Sequence, residues 1–122
     1  MTDGPHFGLL VIDMQNGFCH PEGTLGLDGA DLSHIRRTIT PLAQLIETCQ
    51  RHSVPDFWSI QEHFEWDGAR ARHRITPHTS KGFRPPALRG TSDSEIIDEL
   101  KPLAGEGSIP FSKHRFGCFY NT

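Results

Sequence analysis

Asp13 is the first residue whose type and position suggest chemistry. Gly8, Leu9, Leu10, Val11 and Ile12 form an unbroken apolar or small run that ends directly at it. Such a run predicts a strand buried on both faces, as in a parallel sheet. Open α/β sheets place their ligands at the carboxyl ends of strands, so an acid there stands where a ligand binds. The same position also suits a structural acid that caps the next turn. Three cysteines, Cys19, Cys49 and Cys118, are odd in number, far apart and without C-x-x-C spacing, which reads as reduced thiols rather than a disulfide framework. His63, His73 and His78, with Glu62 and Asp67, are residue types that bind zinc, but their spacing matches no compact zinc motif. Loop histidines and no metal are the expectation.

The elements that must position these groups follow from periodicity. Phe7–Ile12 is the first predicted strand, and Gln15–Gly29 a loop rich in Gly and Pro. From Asp31 to His52, Ile35, Ile39, Leu42, Leu45, Ile46 and Cys49 recur at spacings of three and four, a helical stripe that places Cys49 in the core. Pro41 lacks an amide donor and clashes with the preceding turn, so the stripe is expected to kink there or to restart with Thr40 as cap. Val54–Gln61 is the second predicted strand; Asp56 is out of place in it, because a charge inside a parallel strand is costly unless paired. The segment from Glu62 to Thr91 reads as a long irregular loop. Ser92 and Glu95 form a capping box for a short helix through Ile96, Ile97 and Leu100. Ser108–Ser112 is the third strand, with Pro110 marking it as an edge or bulge. Strand, helix, strand, short helix, strand is an α/β pattern with a parallel sheet and flanking helices. Asp13 and Lys113 then follow the carboxyl ends of two strands and meet at one sheet edge, although a hundred residues separate them.

The motifs VIDMQNGFCHPEG and KHRFGCFYNT resemble the first and second signatures of the isochorismatase-like cysteine hydrolases. Between them, RHRITPHTSKGFRPPALRGTSDSEIIDELKP resembles the amidohydrolase branch of that family, of the N-carbamoylsarcosine amidase and ureidoacrylate amidohydrolase type. The resemblance runs over nearly the whole chain in the family's order. It implies a Rossmann-like three-layer fold in one domain spanning 1–122, shortened on its C-terminal side, since members are usually near two hundred residues. It also implies an Asp, a Lys and a Cys acting together, and it carries the first two onto Asp13 and Lys113. The chemistry is coherent on its own terms: a thiol attacks as thiolate, a carboxylate takes its proton and an ammonium favours the anion. The family's nucleophilic Cys lies some thirty-odd residues beyond the Lys, and no residue of this chain matches it. Cys19 and Cys118 fall elsewhere, near the pocket. Asp56 departs from the apolar residue usual in the family, and the Asp-Trp-His element of metal-holding nicotinamidases is absent.

The substrate expected from the resemblance is a small amide or carbamoyl compound that releases ammonia, without a cofactor. Arg74 and His78, beside Arg72 and His73, are candidate anchors for a substrate carboxylate, because guanidinium groups fork onto carboxylates; holding the loop or a subunit interface is the alternative. Phe18, Phe119 and Tyr120 are candidate apolar walls, or simple packing. Two other readings stand beside this one: a vinyl-ether hydrolase using Asp13 as general acid, and a non-catalytic fragment.

Bulk properties narrow the class. The 122 residues are 35% hydrophobic, with a mean hydropathy of −0.45. No apolar run is long enough to span a membrane and no secretory signal is visible, which points to the cytoplasm. The net charge of −3 conceals a stretch over 68–92 with Arg70, Arg72, Arg74, Lys81, Arg84 and Arg89 and no acid. Without aromatic interleaving or a known module, that stretch reads as a solvated or subunit-facing loop, not a nucleic-acid site. Homo-oligomerisation is expected, because an open sheet favours association.

Overall fold

The computed structural model describes residues 6–64 and 85–120. Three parallel strands, β1 (Leu9–Ile12), β2 (Asp56–Gln61) and β3 (Ile109–Lys113), form one sheet in the order β1-β2-β3. The register sets Val11 beside Trp58 and Trp58 beside Pro110. Between β1 and β2 lie two one-turn helices, α1 (Asn16–Cys19) and α2 (Thr24–Leu27), and the long helix α3 (Ser33–Arg51). The stretch read as a plain loop, Gln15–Gly29, therefore contains two helical turns, too short to show a period. Between β2 and β3, the described residues form two 3₁₀ turns, Ser92–Ser94 and Lys101–Leu103. No helix among the described residues is long and apolar enough to cross a membrane.

Alternation in the strands assigns the faces. Val11 and Trp58 point to the side covered by Ile39 and Ile46 of α3, with Cys19, Ile97 and Leu100 completing the buried cluster. The other face carries Leu10, Ile12 and Ile109, which are 44%, 53% and 46% exposed. The expected burial of the first strand on both faces is thus corrected to one face among the described residues. Cys49 is half-buried and stands outside the core cluster.

α3 runs unbroken through Pro41, so the expected restart at Thr40 does not occur. Pro41 deprives the Arg37 carbonyl of its donor, but both residues are exposed and water can replace it. The apolar face packed on the sheet outweighs the local penalty. The predicted capping box also fails: Ser92 lies inside a 3₁₀ turn whose N-cap is Thr91, and Glu95 ends that turn in an extended conformation instead of opening an α-helix. Asp93 instead turns inward, where Oδ1 accepts from the Thr24 amide at 3.0 Å and Oδ2 from the Thr24 hydroxyl at 2.7 Å and the Ala87 amide at 2.8 Å. Three donors to one buried carboxylate outweigh a single helical turn. Glu95 pairs with Lys101 at 2.7 Å.

Asp56 is 3% exposed and is paid in hydrogen bonds. It accepts from Trp58 Nε1 at 2.6 Å, Ser108 Oγ at 2.5 Å and Gln50 Nε2 at 3.4 Å. These partners come from β2 itself, from the residue before β3 and from α3, so the misplaced charge joins three elements. Burial pushes its carboxyl upward, but the bonds from Ser108, Trp58 and Gln50 outweigh that and hold it below the ordinary carboxylate value. A depressed folded value means the stabilisation is complete above the unfolded pKa, near 4, and drains as pH falls through the folded one. Thermal denaturation between pH 7 and pH 2 will therefore show a steeper acid-side loss of Tm in the wild type than in Asp56→Asn. At pH 7, Asp56→Ala will cost about 2–3 kcal/mol, because it strips the acceptor from a buried indole N–H.

Candidate active site

The carboxyl edge of the sheet gathers the groups expected there. Asp13 follows β1 with φ of 53°, a left-handed conformation that Asp tolerates better than most residues. The Gln15 amide donates to the Asp13 carbonyl at 2.8 Å, closing a tight turn, while the Asp13 amide still bonds the Ser59 carbonyl at 3.1 Å. The chain therefore leaves the strand sharply at the residue that carries the carboxylate. Lys113 ends β3 and is 2% exposed. Its Nζ stands 3.0 Å from Asp13 Oδ2 and donates to the Phe116 carbonyl at 3.1 Å. Asp13 Oδ1 accepts from the Ser59 hydroxyl at 2.8 Å. The ion pair thus joins the two outer strands across the central one, with Ser59 between them.

Two participants escaped the sequence reading. Ser59 is a lone hydroxyl in β2, in register with Ile12 and so level with the end of β1; its position was the available signal. Gln15 is fully buried. Its Nε2 donates to the carbonyls of Gln61 and Ser94, both at 2.8 Å, and its Oε1 accepts from the Gln61 amide at 2.8 Å. It thereby ties the turn after β1 to the end of β2 and to the 3₁₀ segment. No sequence pattern separates that role from an ordinary loop glutamine.

Cys19 is 1% exposed, and burial pushes its thiol up to about 11. It is a core residue that remains protonated near neutral pH. Cys118 is half-buried, with Sγ 4.0 Å from Ser59 Oγ. No disulfide joins the cysteines.

The other candidates are scattered. Phe18 is partly buried against the core. Phe119 and Tyr120 are 98% and 60% exposed, so neither forms a pocket wall among the described residues. Arg74 and His78 lie outside the described residues, as do Asp67, Arg72 and His73. Among the described residues, no three His, Cys, Asp or Glu side chains gather as a metal site. Arg89, at the end of the basic stretch, pairs with Glu62 at 3.2 Å.

A carboxylate at 26% exposure beside a buried ammonium and a hydroxyl can take a proton from an attacking group and hold a charge next to it. The isochorismatase domain matches residues 7–122. The chain belongs to the isochorismatase family. It is similar to the ureidoacrylate amidohydrolase RutB of Caulobacter segnis, 30% identical over 93% of this chain and 52% of that protein. The RutB of Azorhizobium caulinodans is 27% identical over 93% of this chain and 54% of that protein. Among solved structures, the N-carbamoylsarcosine amidase of Thermoplasma acidophilum superposes with a TM-score of 0.70 at 26% identity, over 97% of this chain and 57% of that one. The chain spans about half the length of the curated relatives it matches. The solved amidase structure agrees with the parallel α/β architecture.

The site is electrostatically asymmetric. Losing Asp13 strands a buried ammonium, whereas losing Lys113 leaves a partly exposed carboxylate that water can solvate. Asp13→Ala will lower stability by about 3 kcal/mol and Lys113→Met by clearly less. Chemical denaturation of the two variants checks the order, and a Lys113→Met chain less stable than Asp13→Ala would refute it.

Proposed function

We propose that this site serves hydrolysis of a C–N amide or carbamoyl bond in a small molecule, with release of ammonia. The observation that carries the reading is the Asp13–Lys113 pair, 3.0 Å apart at the carboxyl edge of a parallel sheet. The names of the RutB relatives and of the carbamoylsarcosine amidase support an amide substrate.

Asp13 is the base that takes the proton of an attacking thiol, and Lys113 stabilises the thiolate. The thiolate adds to the carbonyl carbon, the C–N bond breaks, and the departing nitrogen leaves as ammonia with the proton returned from Asp13. Water then attacks the thioester, frees the acid product and restores the thiol. Cys19, buried and protonated, is unsuited to the attack. Cys118 Sγ lies 4.0 Å from the Ser59 hydroxyl that bonds Asp13. The names of the relatives favour the amidase over a vinyl-ether reaction with Asp13 as acid.

The test is ammonia release from 3-ureidopropionate and other small ureido acids by protein with turnover. Asp13→Asn will abolish it, Lys113→Ala will lower kcat/KM at least about a hundredfold, and a chelator will change nothing. Near-normal turnover by Asp13→Asn would sink the mechanism, and loss on chelation with restoration by zinc would replace it with a metal-dependent one.

A further inference from the structure

We infer that the Gln61 carboxamide is the group that recognises the substrate's amide or ureido function; the inference rests on the proposed reaction and names a residue that determines its specificity. Gln61 closes β2 at the same sheet edge as Asp13 and Lys113. Its side chain is buried, at 3% exposure, yet both Nε2 and Oε1 lack a hydrogen-bond partner among the described residues. Its main chain, by contrast, is held at both ends by Gln15, through the Gln61 amide and carbonyl. The backbone is pinned while the side chain keeps a donor and an acceptor unspent.

Strand alternation sets the direction. Gln61 and Ser59 lie on one face of β2, opposite Trp58. Gln61 is the register partner of Lys113, and Ser59 that of Phe111. The Gln61 side chain therefore shares its face with the Ser59 hydroxyl and the Lys113 stem, the two groups that grip Asp13. A buried donor and acceptor left unmet are a steady cost to the fold, and in native proteins such groups call for an explanation. A side chain of the same size without polar atoms would fill this place without that cost.

An amide or urea is the chemical complement of this group. Nε2–H donates to the substrate carbonyl oxygen, and Oε1 accepts from the substrate N–H. A ketone, ester or carboxylate of the same shape offers the carbonyl but no N–H, leaving Oε1 unmet. Sites built to hydrogen-bond a substrate N–H reject analogues that lack it far more strongly than apolar pockets reject a changed methylene.

The experiment is calorimetric titration of the 122-residue chain with 3-ureidopropionate and with 5-oxohexanoate, its isostere in which CH₂ and CH₃ replace NH and NH₂. Wild type will bind the ureido acid at least about tenfold more tightly than the ketone. Gln61→Met will raise Tm by roughly 3 °C by removing the unmet amide, and will erase the preference while keeping the ketone's affinity. Gln61→Glu, equal in size but without the donor, will weaken the ureido acid at least about tenfold, and it answers the question if the Met variant does not fold. A merely structural role predicts the reverse pattern in Gln61→Met: unchanged preference and a lower Tm. Absence of preference in the wild type, or preference retained in both variants, overturns the inference. Ammonia release with unchanged preference in Gln61→Met would overturn it and leave the hydrolase reading standing. Gln61-dependent preference without ammonia release from any form would sink the hydrolase reading and leave the Gln61 role intact.

Discussion

A buried ammonium must be paired, and in this protein that requirement organises the sheet edge. Lys113 is 2% exposed and its charge is met by Asp13, one strand further than its hydrogen-bonded neighbour. Satisfying Lys113 means bringing the end of β1 over the end of β2, which the left-handed turn at Asp13 achieves. Ser59 fills the gap between them. The pair to which the proposed reaction assigns the proton transfer is thus also the pair that ties the outer strands together.

The same logic recurs in the other buried polar groups. Asp56 joins β2 to α3 and to the start of β3 through Trp58, Gln50 and Ser108. Asp93 joins the 3₁₀ segment to α2 and to the chain at Ala87. Gln15 binds three segments with one carboxamide. In a short chain with a lean apolar composition, these satisfied polar centres add directional restraints that a small hydrophobic cluster lacks. Gln61 departs from the rule, and it does so beside the ion pair.

Family membership and the site geometry bear on each other in a definite way. The isochorismatase domain places the chain in a family, and the placement of Asp13, Ser59 and Lys113 supplies a physical means for the proposed hydrolysis. His73, His78 and Arg74 lie outside the described residues. Phe119 and Tyr120, exposed to solvent, add no wall to the site.

The sequence alone determined the parallel strands, the helix between the first two, and the convergence of Asp13 and Lys113, because apolar runs and a helical stripe are local patterns with local causes. It also marked Asp56 and Pro110 as unusual. It misjudged the restart at Thr40 and the Ser92 box for the opposite reason: local penalties and local caps are small, and packing or a three-donor carboxylate overrides them. Ser59, Gln15 and Gln61 became meaningful only in the folded chain. Their roles depend on which strand ends lie level with one another and which polar atoms burial leaves to be matched, and those relations exist only once residues distant in sequence share one sheet edge.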